Sequence, residues 1–394
     1  MTTRRALQKT PPKSRFGTLT LTTLEDRCNP VTIGSLDPTF GMAGISTPLP
    51  NGTTFVDTVQ IANGNFLAVG TDAAANFVVA QFHSDGSLDT SFGVNGVVTG
   101  KFQGAFSSGQ GIAVDTDDGS IYIVGFANGS FGRAKLNSSG TILTAINSGF
   151  GNGYNGVTVN SATNEVYAVG NLGTNFIVQR YNANLVPINF LTVNFGAPGV
   201  VDRGISVTLA PDGRVFASVR VDNTSDFGLF RSEANLTNAA IRVYDLGGVT
   251  EAAVGVKVSP TTGDVFLSGF TNAAGNRDVA VVKVNPNDLN TFSTGILNRT
   301  ADQNGFRLDL DNFNRPVVAG GDPTNGAFVA RFTSNLASDT SFAPNGFVSL
   351  GLPAASQMTG SLLIPPPGKS RRSVPMGQKP RQSGSSAAPV CQTA

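Results

Sequence analysis

Asp115-Thr116-Asp117-Asp118-Gly119-Ser120-Ile121-Tyr122-Ile123-Val124-Gly125 is the stretch on which the fold turns. Its first half is turn chemistry. Short acidic side chains accept hydrogen bonds from backbone two residues on, and Gly119 accepts the positive φ of a tight hairpin. Its second half is a run of β-favouring apolar residues closed by a glycine. The run recurs as Phe66-Leu67-Ala68-Val69-Gly70 and Val166-Tyr167-Ala168-Val169-Gly170. Diverged copies read Val215-Phe216-Ala217-Ser218-Val219, Val265-Phe266-Leu267-Ser268-Gly269 and Pro316-Val317-Val318-Ala319-Gly320. Their last residues lie 55, 45, 49, 50 and 51 positions apart, so the chain repeats with a period near 50.

A further apolar run follows each copy, as in Asn76-Phe77-Val78-Val79-Ala80-Gln81-Phe82 and Ala327-Phe328-Val329-Ala330-Arg331-Phe332. In the second unit four short β-runs are expected, from Gly96 to Phe102, Gly111 to Asp115, Ser120 to Phe126 and Gly132 to Asn137. Four strands per unit at this period predict an all-β β-propeller of six to seven four-stranded blades. A parallel β-helix fits less well, because its coils are shorter and lack four turn clusters per period. Blades stacked face to face bury both sides of their strands, which explains runs that are apolar throughout instead of alternating. Units start near Gly34, Gly86, Gly140, Val186, Thr237, Leu289 and Ala337, which makes six complete units and the opening of a seventh.

A second element marks some of these starts. Gly34-Ser35-Leu36-Asp37-Pro38-Thr39-Phe40-Gly41 returns as Gly86-Ser87-Leu88-Asp89-Thr90-Ser91-Phe92-Gly93, and again as Asp339-Thr340-Ser341-Phe342. Followed by the apolar strand, this element resembles the delta-60 repeat, a bacterial family of uncharacterised propeller-like proteins. The Asp115 to Gly125 stretch resembles a related propeller repeat of bacterial surface proteins. The resemblance spans residues 34–350. It is weak in the middle units, where the one beginning near Val186 lacks the element and ends its strand in Val219. It implies fold and surface location, and no activity. Near the N-terminus, Leu24-Glu25-Asp26-Arg27 resembles the LEDR-type leader of large bacterial surface and secreted proteins. Residues 1–33 are therefore expected to be a basic leader connected with export, residues 34–350 the repeats, and residues 351–394 a partial last blade with a basic tail.

That tail breaks the pattern. Leu362-Leu363-Ile364 leads to Pro365-Pro366-Pro367-Gly368-Lys369 as Leu209 leads to Ala210-Pro211-Asp212-Gly213-Arg214, yet no strand follows Lys369. Two accounts stand: a disordered tail, or a change of reading frame near Lys369 that removes the last strands of blade seven.

Composition agrees with an all-β chain. Only 13% of the 394 residues are charged, Gly numbers 47 and Phe 27, and there is no Trp. The 4 Glu and 8 Lys are too few for a helical protein. The net charge of +1 conceals a segregation. Residues 34–350 hold 16 basic and 24 acidic groups, whereas residues 351–394 hold 5 basic groups and no acid. An acidic body argues against nucleic acid as a partner. No apolar run reaches the roughly 20 residues of a membrane span. Cys28 and Cys391 lie at opposite ends with no metal-ligand spacing.

Candidate chemistry is sparse. His83, the one histidine, is expected in a fourth strand or its exit turn, as a turn residue. Gly151-Asn152-Gly153-Tyr154-Asn155-Gly156 matches a dinucleotide-binding pattern, but a strand follows it where a helix is required. Asp115, Asp117 and Asp118, and likewise Asp309 and Asp311, could offer oxygens to calcium, but turn capping already explains the first group. Glu165, Glu233 and Glu251 are the repeat region's only glutamates. A glycosidase would need two carboxylates to converge. Arg133, Arg180, Arg231 and Arg331 are expected on solvent-facing outer strands. No catalytic, cofactor or metal residue is assigned. The expected function is a non-enzymatic binding or structural module, extracellular or at the cell surface. It is expected to be monomeric and to recognise carbohydrate or another surface protein. The alternative is a propeller lyase or glycosidase acting on carbohydrate through channel carboxylates and arginines.

Overall fold

The computed structural model describes residues 53–350 apart from 105, 150, 197–198, 223–225 and 325, together with 40, 41, 46 and 49. The leader over 1–33 and the partial blade and tail over 351–394 lie outside the described residues.

The described chain is a β-propeller of six four-stranded antiparallel blades, each built from four consecutive strands. Blade 1 contains β1 (Thr54–Gln60), β2 (Phe66–Thr71), β3 (Phe77–Phe82) and β4 (Val97–Gly100). Blade 2 contains β5 (Ser107–Val114), β6 (Ile121–Ala127), β7 (Phe131–Leu136) and β8 (Ile142–Ser148). Blade 3 contains β9 (Tyr154–Asn160), β10 (Glu165–Leu172), β11 (Asn175–Tyr181) and β12 (Pro187–Val193). Blade 4 contains β13 (Asp202–Leu209), β14 (Val215–Val221), β15 (Asp226–Ser232) and β16 (Ala240–Tyr244). Blade 5 contains β17 (Glu251–Val258), β18 (Val265–Thr271), β19 (Asp278–Val284) and β20 (Phe292–Leu297). Blade 6 contains β21 (Asn304–Leu310), β22 (Pro316–Asp322), β23 (Gly326–Arg331) and β24 (Phe347–Ser349). A single 3-10 turn, Pro344–Gly346, is the only helical element among the described residues. No helix there is long and apolar enough to cross a membrane.

The sequence repeat is out of phase with the blades by one strand. The run from Gly96, read as opening the second unit, is β4 and closes blade 1; the three runs after it are β5, β6 and β7 of blade 2. Hydrogen bonding decides the phase, since β3 pairs with β4 from Phe77↔Gly100 to Ala80↔Val97.

The strand-ending glycine of the repeat has a steric cause. Each first strand carries a bulge, as between Gly109 and Gly111 in β5 and between Ala253 and Gly255 in β17. The bulge turns a backbone carbonyl towards the second strand. A Cβ at Gly70, Gly125, Gly170, Gly269 or Gly320 would overlap that oxygen. Blade 4, which has Val219 here, instead places Gly228 opposite it across the ladder.

Alternate residues of each blade face its two neighbours. Leu67, Val69, Phe77 and Val79 of blade 1 pack forward on Ile112, Ile121 and Ile123 of blade 2. Comparable clusters join blades 2 and 3, 3 and 4, 4 and 5, and 5 and 6. Each buried aliphatic or aromatic side chain contributes about 1.5–3 kcal/mol. Polar clamps run in the same forward direction. The Tyr122 hydroxyl donates to the Ala183 carbonyl at 3.1 Å, and Tyr167 to the Ala234 carbonyl at 2.8 Å. Tyr244 donates to Leu289 at 3.0 Å.

Candidate functional site

The six first strands surround a central channel with a volume of about 230 Å³. One ladder position sets its bore. Gly111, Gly156, Ser206 and Gly255 are small there, whereas blades 1 and 6 carry Asp57 and Arg307. The small residues let adjacent first strands touch: a Cβ on Gly156 would stand 2.9 Å from the Ile205 carbonyl oxygen. Arg307 instead spans to blade 1. Its Nη2 donates to the Val56 carbonyl at 2.7 Å and lies 3.8 Å from Asp57 Oδ1. Asp57 Oδ2 in turn accepts the Ile112 N–H at 3.2 Å. Two residues along the ladder, Lys257 Nζ lies 3.9 Å from Asp309 Oδ1. The channel wall therefore offers Ser and Thr hydroxyls, the cations Lys257 and Arg307, and the carboxylate Asp57, with Asp309 beside Lys257. Sequence reading missed Asp57, Lys257 and Arg307. The signal was present in the alignment of Gly111-Ile112-Ala113 and Gly156-Val157-Thr158 with Asp57-Thr58-Val59 and Arg307-Leu308-Asp309.

The three glutamates do not converge on this channel. Glu165 is ion-paired with Arg180 and accepts from the Tyr167 hydroxyl at 3.0 Å. Burial raises its pKa, but the hydrogen bonds from Arg180 and Tyr167 hold it below the ordinary value. Glu233 lies in the turn that its N–H closes on the Thr237 carbonyl at 3.0 Å. Glu251 is buried at the head of β17, where it accepts the Leu246 N–H at 2.9 Å, the Gly248 N–H at 2.6 Å and the Thr271 hydroxyl at 2.7 Å. One oxygen each of Asp226, Asp245 and Glu251 lie within 4.8 Å of one another. Glu251's bonds make this cluster a clamp on the incoming loop.

The four arginines are not solvent-facing outer-strand residues. They stand on third strands, which neighbouring blades still cover. Arg133 is 4% exposed; its Nε donates to the Leu185 carbonyl of blade 3 at 3.2 Å and its guanidinium lies over the Tyr181 ring. Arg231 reaches the Pro286 carbonyl of blade 5 at 3.0 Å. Arg331 Nε donates to Asp339 Oδ2 at 2.7 Å, as Gln81 does to Asp89 Oδ2 at 2.7 Å. Those two aspartates belong to the recurring Asp-x-x-Phe element, preceded by Leu88 in one copy and Ser338 in the other. Each also accepts the backbone N–H of the serine two residues on, at 3.1 Å for Ser91 and 3.0 Å for Ser341. The Ser91 hydroxyl, with burial opposing it, lowers the pKa of Asp89. Burial likewise raises Asp339, but Ser341 and Arg331 bring it below the ordinary value.

The remaining candidates are structural. His83 follows the third strand β3 and closes a turn, its N–H on the Ser87 carbonyl at 2.8 Å. Tyr154–Asn160 after the Gly151 pattern is a strand. Asp115 accepts the Asp117 N–H and Asp118 the Ser120 N–H, at 2.9 and 2.7 Å. Asp311 is ion-paired with Arg315 at 2.7 Å, and Asp309 faces Lys257.

The outer rim is the unusual surface. Outermost strands expose Ile142 and Leu143 on β8, Ile188 and Phe190 on β12, Ile241 on β16, and Phe292 and Ile296 on β20. Phe190 is 58% exposed and Leu143 55%. Such residues scattered singly need no explanation, but here they recur on four successive blades.

Comparison with known proteins supports the fold alone. No protein-family model matches the chain, and no curated protein is detectably similar in sequence. Among solved structures, hydrazine synthase of Kuenenia stuttgartiensis superposes with a TM-score of 0.54 at 10% identity, covering 73% of this chain and 78% of that one. A Bacteroides uniformis protein assigned as a 6-phosphogluconolactonase gives 0.51 at 14% identity, covering 74% and 84%. The chain is thus similar to propellers that include enzymes, and at these identities only the architecture is shared.

Proposed function

We propose that this chain is a non-enzymatic propeller of the delta-60 repeat kind, secreted or displayed at a bacterial surface, which binds another protein through its outer rim. The observation that carries the reading is the recurrence of exposed Ile142, Leu143, Ile188, Phe190, Ile241 and Phe292 on consecutive outermost strands. Aliphatic and aromatic side chains on a polar-rimmed surface favour a protein partner, because aromatic anchors desolvated at the centre of an interface supply most of its energy. The channel supports the non-enzymatic part. The carboxylates at the channel wall are both engaged: Asp57 accepts the Ile112 N–H and faces Arg307, and Asp309 faces Lys257. A glycosidase would need two carboxylates about 5–10 Å apart and free to act on the sugar, whereas each of these is matched with a cation.

The test immobilises the full chain and probes it in parallel with purified surface proteins and a glycan array. Capture of a surface protein that Ile188→Ser with Phe190→Ser weakens at least tenfold supports the reading. Glycan binding that the rim variant leaves intact, or turnover of a polysaccharide that Arg307→Ala abolishes, overturns it.

A further inference from the structure

We propose that the seam between blades 5 and 6 holds a hard-cation site, taken by calcium, whose protein ligands are Asp278 Oδ2 and Gln303 Oε1. The inference starts from two positions that recur from seam to seam. One heads a third strand. The other heads, or just precedes, the first strand of the next blade, four residues before the ladder position of Ser206, Gly255 and Arg307. Polar residues stand at both: Asn175 with Asp202 between blades 3 and 4, Asp226 with Glu251 between blades 4 and 5, and Asp278 with Gln303 between blades 5 and 6. One oxygen each of Asp226 and Glu251 lie within 4.8 Å, so the two positions bring side-chain oxygens together across a seam.

At earlier seams the residue heading the first strand is engaged by the incoming loop. Ser107 Oγ accepts the Phe102 N–H at 3.0 Å, Asp202 Oδ2 the Phe195 N–H at 2.7 Å, and Glu251 the Leu246 and Gly248 N–H groups. Gln303 is not so engaged. Its Nε2 donates to the Ala301 carbonyl at 2.7 Å, and its buried Oε1 accepts no hydrogen bond among the described residues. The loop is held instead by Asp278, whose Oδ1 accepts the Arg299 N–H at 2.9 Å. Asp278 is 0% exposed, and its Oδ2 also accepts nothing. The two oxygens share one pocket. The Gln303 N–H donates to the Arg277 carbonyl at 2.6 Å, beside Asp278, and Asn276 Nδ2 donates to the Ala301 carbonyl at 3.1 Å and to Asp278 Oδ1 at 3.3 Å.

Charge decides what the pocket takes. A buried carboxylate without a counter-charge is far more costly than a buried neutral group without a hydrogen bond. The two neighbouring arginines turn elsewhere. The Arg277 guanidinium lies over the Phe270 ring and donates to Asn304 Oδ1 at 3.3 Å, and that of Arg299 lies over the Phe347 ring. Asp302, exposed one residue before Gln303, adds to the negative charge. Burial raises the Asp278 pKa against the hydrogen bonds from Arg299 and Asn276, and the charge of Asp302 raises it further. A water would satisfy the oxygens and leave the charge; a cation answers both. Carboxylate and amide oxygens without His or Cys are a hard donor set, which favours calcium over a transition metal. With so few protein oxygens, water completes the shell, and a weak site with Kd of about 10⁻⁴–10⁻³ M is expected.

The full chain, stripped with EGTA, is titrated with calcium chloride by calorimetry, and its hydrogen exchange is compared in calcium and in magnesium. Calcium at about ten times Kd should slow exchange over 299–303 roughly tenfold, and magnesium should not. Asp278→Asn should abolish binding. Gln303→Glu, which copies the residue that blade 5 has at this position, should tighten it at least tenfold through the added charge. Asp118→Asn, in an exposed turn of blade 2, should leave Kd unchanged. Exchange over 299–303 that calcium does not slow overturns the proposal, and leaves a proton or a water between Asp278 and Gln303. Binding that survives Asp278→Asn, or that Gln303→Glu fails to tighten, overturns it too, since the calcium then sits elsewhere on the acidic body.

Discussion

Gly156→Ala puts the packing of the channel wall to a direct test. The glycine lies within β9, so its φ suits any residue, and only space is at issue. The added methyl would stand 2.9 Å from the Ile205 carbonyl oxygen, 3.1 Å from Ser206 Cα and 3.3 Å from Val169 Cγ2. The first two belong to the backbone of the neighbouring blade and cannot rotate away. Blades 3 and 4 must therefore separate by a few tenths of an ångström, against close-packed clusters on both sides. Overpacking of this kind costs about 1–3 kcal/mol. With a urea m-value near ~3 kcal/mol/M, the unfolding midpoint falls by roughly 0.3–1 M. Ser206→Ala is the control, since that residue occupies the same ladder position in blade 4 and already has a Cβ; it should shift the midpoint by less than about 0.2 M. If Gly156→Ala unfolds where the parent chain does, the missing Cβ does not set the spacing of the blades.

Two pH-linked outcomes follow from the carboxylates. Asp339 has its pKa lowered in the folded chain. Its stabilisation is full above the unfolded value of 3.8 and is lost as pH falls through the lower folded value. Asp339→Asn should therefore cost on the order of 1–2 kcal/mol at pH 7 and progressively less as pH falls below 3.8, read from denaturation midpoints across that range. Asp202 behaves oppositely. Burial raises its pKa, and Oδ1 lacks a partner while Oδ2 accepts the Phe195 N–H at 2.7 Å. The penalty for its charge is present at neutral pH and relieved as pH falls towards 3.8. Asp202→Asn should stabilise by on the order of 1 kcal/mol at pH 7, with the gain vanishing as pH falls to 3.8; a loss at neutral pH would refute the account.

The period was legible because steric demands recur with each blade. Gly125 and its counterparts must clear a bulged carbonyl, and Asp89 and Asp339 must close a turn on a serine. The phase was not legible. A repeating pattern fixes spacing, but which strand begins a sheet is decided by pairing, and the conspicuous Leu-Asp-x-x-Phe element sits inside a blade between β3 and β4. Arg133 and Arg231 were misplaced for a related reason. A charged residue on a late strand reads as exposed, yet in a propeller the third strand is still roofed by the next blade, where backbone carbonyls of Leu185 and Pro286 receive it. Asp57 and Arg307 stand out only when the units are aligned, as charged residues where the other blades have Gly or Ser. They are 250 residues apart, and only closure of the ring brings them to 3.8 Å.

The Arg307 bridge also has a mechanical consequence. Among the described residues blades 1 to 6 exchange no strands, so they form a strip of units zipped at five apolar joints, with Arg307 bridging the sixth. The strip begins at the innermost strand of blade 1, β1, and ends at the outermost strand of blade 6, β24. Tension applied between the two ends loads Arg307 and the outermost joints first, and leaves the middle of the strip untouched. Units should then peel off singly from the ends, each releasing on the order of 150 Å of extended chain. Anchored at both ends, such a strip would lengthen in steps under load and would zip back from whichever joints had held.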